Sequence, residues 1–136
     1  MSAETVNAYI AGIIDGEGSI LLSRSRAKDH YRHPVVSVSS TTLGLLEFLK
    51  QHYGGHISSH KTYQDHHKKS WSWKIGYSSA IEILINILPY MLEPKKIYRA
   101  KLLIDVYPTV TKRNGKYTEE EMKRKLQFEE DFLKIP

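Results

Sequence analysis

Apolar positions change their spacing several times along this chain, and each change predicts an element. Tyr9, Ile10, Ile13 and Ile14 fall on one stripe of a helical wheel at about 100° per residue. From Ile20 the period drops to two. Ile20 and Leu22 share one face, while Leu21, Ser23 and Ser25 share the other. A polar connection then leads to a second alternating run, in which Val36 and Val38 oppose Val35, Ser37 and Ser39; together the runs predict a long hairpin. Thr42 caps a helix carrying Leu45, Leu46, Phe48 and Leu49, which stops near Gly54-Gly55. The same order recurs. Strands over 56–63 and 70–77 flank a polar turn, with Trp71, Trp73, Ile75 and Tyr77 of one parity. Ser79 and Glu82 have capping-box spacing and begin a helix to Leu88 that Pro89 ends. Pro94 opens a further helix through Ile97, Ala100, Leu103 and Ile104 to Val106. Thr118 and Glu121 start a terminal one, with Leu126 and Phe132 among its apolar residues. One helix followed by two strand–strand–helix units predicts an α+β fold, αββαββα: four antiparallel strands with helices over one face.

Helices on one face leave the other bare. Parity puts Leu21, Ser23, Ser25, Tyr31, His33, Val35, Ser37, His56, Ser58, His60, Thr62, Ser72 and Lys74 on that bare face. Its polar side chains suit base edges in a major groove, which admits a two-stranded β-ribbon. Arg24, Arg26 and Arg32 at the rim suit phosphates. Strict pleating places Arg24 and Arg26 on the Ile20 side, so their reach to DNA requires a bulge or an extended strand.

Charge agrees with that reading. Residues 1–116 hold 16 Lys/Arg against 9 Asp/Glu, and 117–136 hold 4 against 6, so the basic excess belongs to the body and favours a polyanionic partner. The 136 residues predict one domain: a core with its following helix to 107, a linker over 108–117, and a terminal helix over 118–136. With no cysteine, disulfides and thiolate metal sites are excluded. No apolar run reaches the length of a membrane span, and residues 1–7 do not resemble a secretory signal. The expectation is an intracellular protein, of a prokaryotic cytoplasm or an organelle, with neither a membrane nor a small molecule as partner. The paired histidines His30/His33, His52/His56 and His66-His67 lack a second pair at zinc-site spacing.

The first helix carries the chemistry. Opposite its apolar stripe lie only Ala8, Ala11 and Gly12, with Asp15 closing that side. Glycine inside a helix costs roughly 1 kcal/mol against alanine, so a small-residue face implies close approach by another helix. The segment ends in Gly16-Glu17-Gly18, leaving an acid at the helix tip. Ile10-Ala11-Gly12-Ile13-Ile14-Asp15-Gly16-Glu17-Gly18 closely resembles the LAGLIDADG motif of homing endonucleases, with Tyr9 before it and Ser19-Ile20 opening a strand after it.

The motif occurs once, so the small face needs a twin from a second copy: Ala8, Ala11, Gly12 and Asp15 form the expected dimer interface. Asp15 is read as tying the paired helix ends rather than as catalytic. The resemblance implies a homodimer on a long, roughly palindromic double-stranded DNA site. It further implies that Glu17 of both subunits, with the Gly16 carbonyl beside it, binds Mg²⁺ or Mn²⁺, and that both strands are cut to leave short 3′ overhangs. It places a water-positioning residue at Ser40, or Ser39 by a one-residue shift, and a cation near the scissile phosphate at Lys96. The alternatives are a non-cleaving relative that assists RNA splicing or regulates transcription, and a monomeric β-sheet binding module.

Overall fold

The computed structural model describes residues 1–24, 31–60, 68–112 and 115–136. Its elements are α1 (Ala3–Glu17), β1 (Gly18–Ser23), β2 (His33–Ser40), α2 (Leu43–Tyr53), β3 (His56–Ser59), β4 (Trp71–Gly76), α3 (Tyr77–Ile87), α4 (Pro94–Lys101) and α5 (Glu119–Leu133). The αββαββα order is therefore present, with α4 and α5 following it. The strands form one antiparallel sheet in the order β1-β2-β4-β3.

Period-two alternation decides which face is covered. Ile20 pairs with Val36, which pairs with Ile75; Val38 pairs with Trp73, which pairs with Ile57. Ile20, Val36, Val38, Trp73 and Ile75 are buried on the helix side against Ile10 and Ile14 of α1, Leu46 and Leu49 of α2, and Ile83, Leu84 and Ile87 of α3. Each such side chain contributes about 1.5–3 kcal/mol on leaving water. Trp73 also satisfies its indole, donating to the Gly54 carbonyl at 2.8 Å. The approach is tight: a Cβ on Gly55, whose φ is +96°, would meet Trp73 Nε1 and the Lys74 carbonyl at 2.6 Å. That closeness explains Gly55, while Gly54 before it takes a left-handed φ of +80°.

Four expectations need correction. Strand β4 stops at Gly76, and Tyr77 is not a core residue: it takes a left-handed φ of +59°, is 55% exposed, and stacks flat on His33 at 4.1 Å. Consequently α3 begins three residues earlier than the Ser79/Glu82 spacing implied, with Gly76 rather than Ser79 at its N-cap and no side-chain cap bond. In α1, Tyr9 is exposed and packs edge-on against Phe48 rather than into the core. In α5, Leu126 faces water while Lys125 and Glu129 are buried.

That last reversal has a physical basis. The Lys125 ammonium donates to Thr111 Oγ1 at 3.1 Å and lies 5.2–5.7 Å from the ring centroids of Tyr31, Tyr107 and Tyr117. Burial pushes its pKa down, and Glu129 one turn later opposes that. Glu129 in turn accepts the Arg32 backbone N–H at 3.3 Å. Helix α5 is thereby fastened to the chain just before β2. Its start is fixed by a capping box in which Thr118 and Glu121 each receive the other's backbone N–H. The Lys112 ammonium, 2.8 Å away, and the Thr118 N–H hold the Glu121 carboxyl down to about 2, against 4.5 ordinarily. The folded value lies below the unfolded one, so this contribution is complete above about pH 4.5 and is lost as pH falls toward 2. Glu121→Gln is expected to flatten the dependence of the unfolding midpoint on pH across that window; an unchanged acid profile would show that the cap does not hold α5.

Candidate nucleic-acid interface and metal centre

On the uncovered face the strands line up side chains in rows. Nearest the end of α1 lies a row of hydroxyls, Ser39, Ser72 and Ser58. Next come Ser19, Ser37, Lys74 and His56, then Leu21, Val35 and Gly76, and finally Ser23 and His33. Ser23, His33, Ser37, His56, Ser58, His60, Ser72 and Lys74 thus share the face that parity assigned to them. Hydrogen bonds order part of it. Ser39 Oγ lies 2.7 Å from Ser72 Oγ, His60 Nε2 lies 2.6 Å from the same oxygen, and His60 Nδ1 lies 2.9 Å from Ser70 Oγ. The alternation already puts Ser39 on the side of Val35 and Ser37, although the set expected on the bare face stops at Ser37 in β2.

Three expected contacts, Ser25, Arg26 and Thr62, lie outside the described residues. Two others point elsewhere. Tyr31 packs against Tyr117 and the Lys125 ammonium, and Arg32 is spent on the Leu22 carbonyl (3.2 Å) and on Glu129. Arg24 is exposed beside the outer edge of β1, lining a groove with Arg32 and Arg99. Tyr77 and its stack on His33 had no signal in the alternation, because it continues the Trp71–Trp73–Ile75 parity.

The end of α1 is built by a reciprocal lock. Asp15 accepts the backbone N–H groups of Leu92 (2.8 Å) and Glu93 (3.3 Å). Lys96, on the helix those residues introduce, returns its ammonium to the Ile14 (3.0 Å) and Asp15 (2.7 Å) carbonyls. A cation at the carbonyl end of a helix also complements its dipole. Glu93 caps α4 by accepting the Lys96 N–H at 2.6 Å, and that bond lowers its pKa. Glu17, the last residue of α1, is exposed and has no hydrogen bond or ion pair among the described residues. Ser40 is differently placed: its register partner is Trp71, on the covered side, and its hydroxyl accepts the Thr42 N–H at 2.9 Å. Its local role is to turn the chain into α2.

The outer stripe of α1 also differs from the wheel reading. Ala8, Gly12 and Gly16 are exposed, but Ala11 is completely buried in its own core and Asp15 is tied within its own chain. The helix is rotated by part of a turn relative to the expectation, because Val6, Ile10 and Ile14 set the buried face. A Cβ on Gly12 or Gly16 would meet nothing within 4 Å. Nothing inside the chain demands glycine there.

A sequence model of LAGLIDADG endonucleases matches residues 10–107, most of the chain. The chain belongs to the LAGLIDADG endonuclease family. Known structures carry the same fold. The archaeal intron-encoded homing endonuclease I-Vdi141I, complexed with DNA, has a TM-score of 0.66 at 19% identity over 99% of this chain and 86% of that one. The group I intron-encoded homing endonuclease I-CeuI, also complexed with DNA, gives 0.67 at 14%, over 96% and 67%. I-CvuI in complex with its target gives 0.58 at 18%, over 93% and 96%. No curated protein sequence matches this one. Like I-Vdi141I and I-CeuI, this LAGLIDADG chain is of the single-motif type. No helix among the described residues is long and apolar enough to cross a membrane.

In this LAGLIDADG chain the lock itself is open to test. Lys96→Met is expected to lower the unfolding free energy by about 1–3 kcal/mol, because two part-buried carbonyls lose a charged donor. Urea unfolding measures it, and an unchanged midpoint would show that Lys96 does not hold the end of α1.

Proposed function

We propose that this protein is a site-specific, divalent-metal-dependent DNA endonuclease. It acts as a homodimer on a long, roughly palindromic duplex and cuts both strands a few bases apart, leaving short 3′ overhangs. The observation that carries the reading is the placing of Glu17. Its carboxylate is exposed at the tip of a helix whose outer stripe is Ala8, Gly12 and Gly16, where the chain enters an uncovered, hydroxyl-lined sheet.

A hard cation fits this donor set. Mg²⁺ is commonly held by one or two carboxylates with phosphate oxygens and water, and Glu17 supplies one unpaired carboxylate with the Gly16 carbonyl next to it. No group of three His, Cys, Asp or Glu placed to hold a metal ion exists among the described residues. The second carboxylate comes from the two-fold-related copy, brought close because glycines on both helices leave room. When bound, Mg²⁺ or Mn²⁺ supplies Lewis-acid polarisation of the phosphate and a more acidic water. Lys96 uses two of its three ammonium protons on α1 carbonyls, leaving one for a phosphate oxygen. Each sheet then covers one half-site, with Ser37, Lys74, His56 and Ser58 turned toward base edges. The DNA-bound state of I-Vdi141I and I-CeuI, and of I-CvuI with calcium or magnesium present, supports the same partner and ion class.

Glu17→Gln is expected to reduce cleavage of a selected target by about two orders of magnitude or more while duplex binding persists. Incubation of a randomised duplex library with Mg²⁺, followed by sequencing of cut ends, measures it; full cutting by the variant removes Glu17 from the metal centre. Gly12→Leu is expected to leave the monomer folded, since the added side chain meets open space and helix propensity improves by up to about 1 kcal/mol. Sedimentation should show its mass fall from two copies to one; an unchanged dimer would rule out pairing through α1.

A further inference from the structure

Two hydroxyls of the row nearest Glu17, Ser39 and Ser72, belong to one connected chain of hydrogen bonds. It runs Ser39–Ser72–His60–Ser70, with separations of 2.7, 2.6 and 2.9 Å. Ser72 is 8% exposed and Ser39 is exposed, so Ser39 is the end that meets the surroundings. A serine hydroxyl has one proton, and a neutral imidazole has one donor and one acceptor nitrogen. Ser72 is nearly buried and its hydroxyl bonds only Ser39 and His60, so its proton goes to one of those two, which leaves two arrangements. If His60 Nδ1 donates to Ser70, then Nε2 accepts from Ser72, and Ser72 must accept from Ser39. The Ser39 proton is then used inside the chain, and its outward side is an acceptor. If instead Nε2 donates to Ser72, Ser72 donates to Ser39, and Ser39 keeps its proton for an outside partner.

We infer that His60 is a specificity-positioning residue, which sets through Ser72 whether the Ser39 hydroxyl donates to or accepts from one base edge in each half-site. The inference rests on the nuclease reading above and deepens it. An accepting Ser39 selects the exocyclic amine of cytosine or adenine; a donating one selects guanine O6 or N7, thymine O4 or adenine N7. Ser58, the register neighbour of Ser72 on the other side, makes no hydrogen bond to this chain, so the polarity is set from His60 alone among the described residues.

The test is binding selection from a randomised duplex pool with Ca²⁺ present, read by sequencing, for the full chain and its variants. The wild type should show a base preference of roughly three- to tenfold at one position per half-site through this contact. Ser39→Ala and His60→Phe should each flatten the preference at that same position, and the double variant should flatten it no further. Should His60→Phe fail to fold, Ser72→Ala breaks the same chain at its middle and carries the test. A His60→Phe profile identical to wild type, a uniform loss across all sequences, or independent effects at different positions would each overturn the inference. A wild type that selects no duplex would overturn the nuclease reading, and this inference with it.

Discussion

The exchange between α1 and α4 is the constraint on which the rest of the molecule depends. Asp15 takes two backbone N–H groups from the connection into α4, and Lys96 of α4 gives its ammonium back to two carbonyls at the end of α1. Either half alone would leave a part-buried backbone group, the Glu93 N–H or the Asp15 carbonyl, without its lock partner at a helix end. Together they fix the direction in which α1 stops. Since β1 starts at the next residue, they also fix where the sheet begins and where Glu17 stands. In the proposed metal centre, the carboxylate must be held in place without being consumed by its neighbours. The lock achieves this by engaging Ile14 and Asp15 just before the tip, leaving the Glu17 side chain unpaired among the described residues.

The outer stripe of α1 shows a second constraint, recognisable because the interior does not explain it. Gly18 and Gly55 have reasons within the chain: a Cβ on either would collide with backbone or ring atoms at 2.6–2.8 Å. Gly12 and Gly16 have none, since the same construction meets open space. Two helical glycines that cost stability and relieve no internal clash are accounted for by a surface that approaches from outside. That distinction separates this stripe from a merely polar helix face, and under the proposed pairing it lets two copies bring their single acids together.

Much of this was legible beforehand because alternation at period two is nearly deterministic once a sheet has one covered face. Apart from Tyr31, which packs against Tyr117, the side chains assigned to the bare face lie on it among the described residues, and the nine-residue motif places Glu17 at the helix tip. The failures share a cause. Ala11, Tyr9 and Asp15 were placed by an idealised wheel, and the helix turned by part of a turn to bury Val6, Ile10 and Ile14. Tyr77 continues an apolar parity that a left-handed turn interrupts, and no pattern announces that turn. Lys125 and Glu129 look like solvent-facing charges, and only the fold brings three tyrosine rings and Arg32 to them. Ser40 was one residue past the parity that matters: Ser39 faces the open surface while Ser40 caps the turn into α2.

The buried charges of α5 bear on how the reading face is held. β1 is an edge strand, and an exposed edge is prone to pairing with other chains. Helix α5 packs beside it, and Glu129 with Arg32 connects that helix to the Leu22 carbonyl on β1. Desolvating Lys125 is costly, and its three aromatic faces, Thr111 and the nearby Glu129 offset that cost only in this one geometry. Apolar residues would have packed α5 just as firmly but tolerated sliding along the edge. A directional cage does not. The strand that leads from Glu17 outward is therefore held in register by a helix outside the αββαββα core, which fixes the spacing between Glu17 and the side chains of the uncovered face.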